Sequence, residues 1–399
     1  YLLMGPAFRV LDTRMEEAAV MSGASNYQVA TRVTMPLLRP AILSTLLLLF
    51  IRGMESFEVP RLLGLPARIF VFTTEIQTAT SNAPPQFGLA GAHGIILLLI
   101  CVLGVYLYRR STRNAEAFAT ITGKGYQPTM IRLGRWRWPV FAGIALMFVA
   151  ALGLPLFTLI WQSFFRNVTL PSLDALSSAS WENYNIILHY PIFLGAVKNS
   201  VFLGVMAATI TVLFTFVMAW IAHRAAKKYG WMLDVLTFVP IAIPSIIIGA
   251  SILFAYLVIP IHVYNTIWIL LIAYVTMNLP YGMRFTSSGI MQIHKELEEV
   301  AEMSGASLID IFRRVLLPLL APVLIAAWLY IFVLAVRELS ASIFLSGPGT
   351  HVLGTISLTM WEEGGSFGAV CALGVIQILP LILIVMAMRW VEMRFATRR

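Results

Sequence analysis

Two short stretches hold the residues whose types and spacing could do work. In the second, Glu298, Glu299 and Glu302 recur at helical spacing, and Gly305 can take the left-handed conformation that ends such a helix. Ser307 stands three residues ahead of Asp310, the pattern of a capping box that opens a second helix. Pro318 falls where that second helix must give way to the next element. In the first stretch Glu16, Glu17, Gly23, Ser25 with Gln28, and Pro36 repeat the pattern. The work implied is mechanical: a rigid elbow of helix, glycine turn, capped helix and proline. Residues 16–40 align without gaps on 298–322, an offset of 282, and 14 of the 25 positions are identical. These include Glu16, Glu17, Ala19, Met21, Gly23, Ala24, Ser25, Pro36 and Pro40 with their partners.

Other chemistry is hard to find. Gly123-Lys124-Gly125 lacks the preceding glycine and following hydroxyl of a phosphate-binding loop. His93, His189, His223, His262, His294 and His351 show no metal-ligand spacing. Cys101 and Cys371, the two cysteines, fall inside apolar stretches and make no disulfide framework. No nucleophile–base set lies within the apolar segments, so the expectation is no catalytic residue, no metal site and no enzyme.

The elements that position the elbows follow from composition. Of 399 residues 59% are hydrophobic and 12% charged, against roughly 25% charged in soluble domains. Mean hydropathy is +0.83. A soluble protein is excluded, and an all-α polytopic membrane protein is expected. Eight spans are read at 37–57, 88–108, 138–161, 194–222, 231–257, 264–285, 319–340 and 367–390, each near the roughly 20 residues a bilayer requires. The net charge of +9 is concentrated in alternate loops. Arg109, Arg110, Arg113, Lys124, Arg132, Arg135 and Arg137 fill 109–137, and Arg224, Lys227 and Lys228 crowd the short loop after 222. The excess of basic residues places 1–36, 109–137, 223–230, 286–318 and the C-terminus on the cytoplasmic side.

The repeat continues beyond the elbows. Phe87-Gly88, Ala92 and Gly94 match Phe367-Gly368, Ala372 and Gly374 at an offset of 280. Both copies share one orientation, so the repeat is parallel. Within its own copy four spans precede the second elbow, but only fifteen residues precede the first. The expectation is therefore a longer parent of two six-helix halves. Residues 1–108 would be the C-terminal part of the first half, 109–137 a basic linker, and 138–399 the second half with its coupling loop at 286–318.

Both elbows resemble the EAA motif of permease subunits in binding-protein-dependent ABC importers, whose pattern is Glu-Ala-Ala, three residues, Gly, nine residues, Ile, one residue, Leu-Pro. Here it reads Glu17-Ala18-Ala19, Gly23, Val33, Met35-Pro36, and again Glu299-Val300-Ala301, Gly305, Val315, Leu317-Pro318. The departures keep an apolar packing face. The resemblance implies the type I importer permease fold in two tandem parallel repeats, in the bacterial inner membrane. It implies that Glu16, Glu17, Ala19, Gly23, Ala24, Pro36, Glu298, Glu299, Ala301, Gly305, Ala306 and Pro318 dock a cytoplasmic ABC ATPase dimer. ATP and Mg would then sit on that partner, with no cofactor in this chain. A periplasmic solute-binding protein would deliver the solute, and nucleic acid is not expected.

The fused arrangement, with the stretch from Val336 to Thr350, is similar to ferric-iron permeases; thiamine, polyamine and phosphonate permeases are near relatives. In this reading Glu298, Glu299, Arg313 and Arg314 are rim charges around small residues. Candidates for a pathway or gate are Asn199, Pro244 (with Pro240), Asn278, Pro280, Arg337 and Glu338. Breaks at depth line a cavity or serve packing, and Arg337 with Glu338 form either a gate-side pair or an interfacial pair. A secondary transporter with parallel repeats is the rival from another class, and it would need mid-depth charges for ion coupling.

Overall fold

The computed structural model describes residues 4, 13–115, 134–225, 229–259, 263, 265–362 and 364–396. Gly123–Gly125, Lys227, Lys228, His262 and most of the basic linker lie outside the described residues. The described residues are helical or irregular, with no strand. They form two compact units, residues 1–143 with 242–244, and residues 144–241 with 245–399.

In the first unit α1 (Thr13–Met21) leads through a turn and a short helix, Asn26–Val29, into α2 (Met35–Glu55). α3 (Phe72–Ser81) and α4 (Phe87–Ala115) follow. α2 and α4 pack closely because Gly104 has no side chain: a Cβ there would stand 2.8 Å from Ile51. Leu97 and Cys101 of α4 and Leu38 of α2 are buried.

The boundary between units falls within α5 (Gly134–Ser163), whose apolar window is wholly unburied. The second unit is built around α6 (Phe193–Trp220), α9 (Ile267–Gln292) and α11 (Leu317–Val336). Small residues sit where these helices meet. A Cβ on Gly282 would come within 2.7 Å of Thr215, and one on Gly289 within 2.8 Å of Leu320. The Thr286 hydroxyl donates to the Thr215 carbonyl at 3.1 Å. α7 (Gly230–Phe238) and α8 (Ser245–Val258) come between α6 and α9, and α10 (Glu296–Met303) between α9 and α11. α12 (Leu353–Glu362) and α13 (Phe367–Ala396) close the unit.

Element by element, the first unit repeats the last part of the second. α1, α2, α3 and α4 correspond to α10, α11, α12 and α13, and a π-helical turn precedes both α2 and α11. The agreement reaches single hydrogen bonds. Val71 N–H donates to Thr74 Oγ1 at 3.0 Å ahead of α3, as Val352 N–H does to Thr355 Oγ1 at 3.0 Å ahead of α12.

Three expectations are refined. Five helices are long and apolar enough to cross a membrane, and seven if two bent pairs count as spans. The eighth expected span is α9, 26 residues long, whose hydropathy is lowered by Asn278, Pro280 and Arg284. Buried against α6 and α11, α9 tolerates polar groups because protein surrounds much of it. The span at 231–257 is broken as Pro240 and Pro244 require, its two halves meeting at 101°. Pro318 and Pro36, however, do not interrupt the chain's helical course. Leu308–Val336 forms one unbroken helical run, and the turns Ile311–Leu316 and Ala30–Thr34 widen to π geometry just before each proline. A wider turn accommodates the ring and the missing N–H.

Candidate functional site: the two elbows

In the second elbow α10 ends at Gly305, whose φ is +82°. Gly305 N–H donates to the Glu302 carbonyl at 2.9 Å and Ala306 N–H to the Ala301 carbonyl at 3.0 Å. This is a Schellman closure. The first elbow has it with the same distances: Gly23 at φ +86°, Gly23 N–H to Val20 O at 2.9 Å and Ala24 N–H to Ala19 O at 3.0 Å. A Cβ at either glycine would meet open space, so backbone conformation alone demands glycine there.

The caps differ by one methylene and in the head group, an amide in the first and a carboxylate in the second. In the first elbow Ser25 N–H donates to Gln28 Oε1 at 2.9 Å, and Gln28 N–H to Ser25 Oγ at 3.3 Å, a full capping box. In the second, Asp310 N–H donates to Ser307 Oγ at 3.3 Å, but the shorter Asp310 side chain accepts the Ser307 hydroxyl at 2.6 Å. That bond, with Arg314 Nε at 3.3 Å, holds the Asp310 carboxyl below its usual range. Lys295 Nζ lies 2.7 Å from Glu299 on the exposed side of α10, which raises the lysine's pKa.

Glu298 is placed differently from the rim charge expected of it. It is buried, accepting from Trp220 Nε1 at 2.8 Å and Arg224 Nε at 2.8 Å. Arg224 Nη2 also donates to the carbonyls of Ile290 and Ile293 at 3.1 and 2.6 Å, at the C-terminal end of α9. One carboxylate thus fastens the elbow to the ends of α6 and α9. Its burial follows from the helix: α10 turns the face with Glu298 and Ala301 inward, leaving Glu299, Val300 and Met303 outward. Phe312 packs edge-on against Phe216 and Trp220, at 5.2 and 5.1 Å between rings. Glu16, the counterpart of Glu298, is half-buried and accepts from Thr34 Oγ1 at 2.5 Å.

Of the expected docking residues, Glu17, Gly23, Pro36, Glu299, Gly305 and Pro318 are exposed, and Ala19, Ala24, Ala301 and Ala306 are half-buried. Sequence reasoning passed over the apolar tips. Met303 is 90% exposed and Met21, at the same place in the repeat, 88%. Ile309 and Tyr27, another matched pair in the repeat, are each 78% exposed, and in the second elbow Val300 and Leu308 are exposed as well. Apolar side chains projecting from a polar elbow mark a contact surface. The identity of Met21 and Met303 was the available signal. Trp220 and Arg224 left none, being 78 and 74 residues from their carboxylate.

The pathway candidates have structural partners. Asn199 donates to the carbonyls of Gly349 and His351, at 3.0 and 2.9 Å, pinning a loop. Buried Asn278 donates to the Tyr274 carbonyl at 2.8 Å, one turn back and beside Pro280 within α9. Pro244 lies at the 101° bend. Glu338 accepts the Ala341 N–H at 3.0 Å and Arg337 is exposed. Among the described residues no three His, Cys, Asp or Glu side chains converge to hold a metal.

A family profile described as "Binding-protein-dependent transport system inner membrane component" matches residues 1–116 and 211–397. The chain is 26% identical over 399 residues to the ferric transport system permease protein FbpB of Actinobacillus pleuropneumoniae, covering 98% of this chain and 56% of that protein. It thus spans about half the length of that relative. A 2-aminoethylphosphonate transport system permease protein, PhnV of Salmonella paratyphi A, is 26% identical over 268 residues, covering 64% of this chain and 94% of its own. Among solved structures, a bacterial ABC transporter involved in the import of alginate aligns with a TM-score of 0.50 at 15% identity, over 66% of this chain and 97% of its own. That likeness concerns the fold.

Proposed function

The chain belongs to the binding-protein-dependent transport system inner membrane components, a family of transport permeases, and from that premise we propose that it is the membrane-spanning part of an ATP-driven importer. It is a multi-pass membrane protein. In this reading it resides in a bacterial inner membrane and is not itself an enzyme, ATP and Mg being bound on a docked ATPase dimer. A solute-binding protein on the far side hands over the cargo. The observation that carries the reading is the pair of elbows, alike in glycine turn, capping serine, π-turn and proline, each with a bare methionine. Burying one methionine against a partner contributes about 1.5–3 kcal/mol. The second elbow, fastened by Arg224 and Glu298 to the ends of α6 and α9, then passes a partner's movement to those helices.

Ferric iron is the proposed cargo, supported by the name of the relative that aligns over 98% of this chain. Organophosphonate is the second reading, supported by the shorter relative. The test is uptake of labelled ferric iron and 2-aminoethylphosphonate into vesicles holding this protein, its ATPase and its binding protein. ATP-dependent iron uptake, lost with Met303→Glu while the protein still inserts, is expected. ATP-dependent uptake of the phosphonate alone would overturn the cargo, and unchanged uptake by Met303→Glu the coupling role.

A further inference from the structure

Within the second unit α9 and α11 diverge from their close contact at Gly289 to leave a cavity of about 630 Å³. One wall is aromatic: Tyr330 lies 5.6 Å from both Tyr281 and Phe285, ring to ring. The other is a stripe on α9 at helical spacing, Arg284, Ser288 and Gln292. Arg284 is exposed to this space, and among the described residues it has neither an ion-pair nor a hydrogen-bond partner. It lies eight residues before the end of α9, roughly 12 Å of helix. No acidic residue lines the cavity.

Arg284 stands at the cytoplasmic boundary of the span read at 264–285, where its exposed guanidinium faces no acidic side chain of the cavity lining. Three donor-bearing side chains thus line one cavity. A guanidinium presents paired N–H groups matched to the two oxygens of a carboxylate or phosphate. The hydroxyl and amide add donors on the same face.

We propose that the cavity between α9 and α11 is an oxyanion-binding site, with Arg284 as its fork and Ser288 and Gln292 as supporting donors. A bare ferric ion would be repelled there. The oxyanion comes either with the cargo, as the carboxylate or phosphate partner of a metal complex, or from the headgroup of an anionic lipid. The cargo source rests on the importer reading; the binding itself does not.

The experiment uses the full protein in phosphatidylcholine nanodiscs, titrated calorimetrically with inorganic phosphate and with citrate. Arg284→Gln should weaken binding about tenfold or more, Arg284→Lys less, and Ser288→Asp should abolish it. In nanodiscs that also contain phosphatidylglycerol, native mass spectrometry reads lipid retention. Loss of retained phosphatidylglycerol in Arg284→Gln supports the lipid source. Unchanged retention with weakened phosphate or citrate binding supports the soluble one. Arg284→Gln and Ser288→Asp proteins that bind phosphate and citrate and retain lipid as the wild type does would overturn the site. If Arg284-dependent binding persists where no ATP-driven uptake is found, the importer reading fails and the site stands.

Discussion

The two elbows share a backbone and differ in how they are fastened. Gly23 and Gly305 share a positive φ, the Schellman bonds have the same lengths, and a π-turn precedes both Pro36 and Pro318. Glu298, however, is locked by Trp220 and Arg224 from another helix, whereas Glu16 bonds Thr34 within its own repeat. The shape of an elbow is therefore a local property, written in about 25 residues. Its attachment is tertiary: the partners of Glu298 stand at the end of α6 and in the turn that follows it.

The sharpest way to probe that contrast is to neutralise each glutamate. Glu298→Gln leaves the half-buried Arg224 with its charge uncompensated and should cost about 3 kcal/mol, read as a lowered midpoint of thermal unfolding. Glu16→Gln loses one hydrogen bond and should cost about 1 kcal/mol. Equal shifts would show that the Trp220–Glu298–Arg224 cluster holds nothing the first elbow lacks. Next in size, Gly23→Ala and Gly305→Ala should destabilise alike, by roughly 1–2 kcal/mol, since both glycines have positive φ and open space around the new Cβ. An unequal pair would mean that the surroundings, and not the turn, decide.

The caps give a smaller, pH-dependent contrast. Ser307 and Arg314 lower the Asp310 pKa below its unfolded value. Its contribution is therefore present above that value, about 3.9, and is lost as pH falls through the lower folded pKa. Gln28 does not titrate. Hydrogen exchange at Ala306–Asp310 should accelerate in strong acid relative to Ala24–Gln28, and Asp310→Asn should remove the difference. Smallest of all is Lys295→Met, which breaks an exposed pair and should leave the unfolding midpoint where it was.

What could be read from the sequence follows the same division. The glycine turns, the Ser25 and Ser307 caps, the break at Pro240 and Pro244, and the repeat itself were legible, because each depends on neighbours a few residues away. α9 was legible as a span, yet its polar residues make sense only beside α6 and α11. Glu298 was read as a surface charge because helical spacing does not say which face meets protein. Arg224, taken as one more basic loop residue, could not be linked to a carboxylate 74 residues on. Pro318 was read as a helix end because the π-turn that absorbs it has no sequence signature.

The central claim is that both elbows touch one kind of partner through their methionine tips. Met21→Cys and Met303→Cys, each labelled with a short photocrosslinker, test it in native membranes that contain the ATPase; Cys101 and Cys371 are buried. Adducts to the ATPase from both positions, diminished when ATP binding is blocked, are the predicted result. An ATPase that copurifies with the protein yet is labelled from neither position would contradict the account.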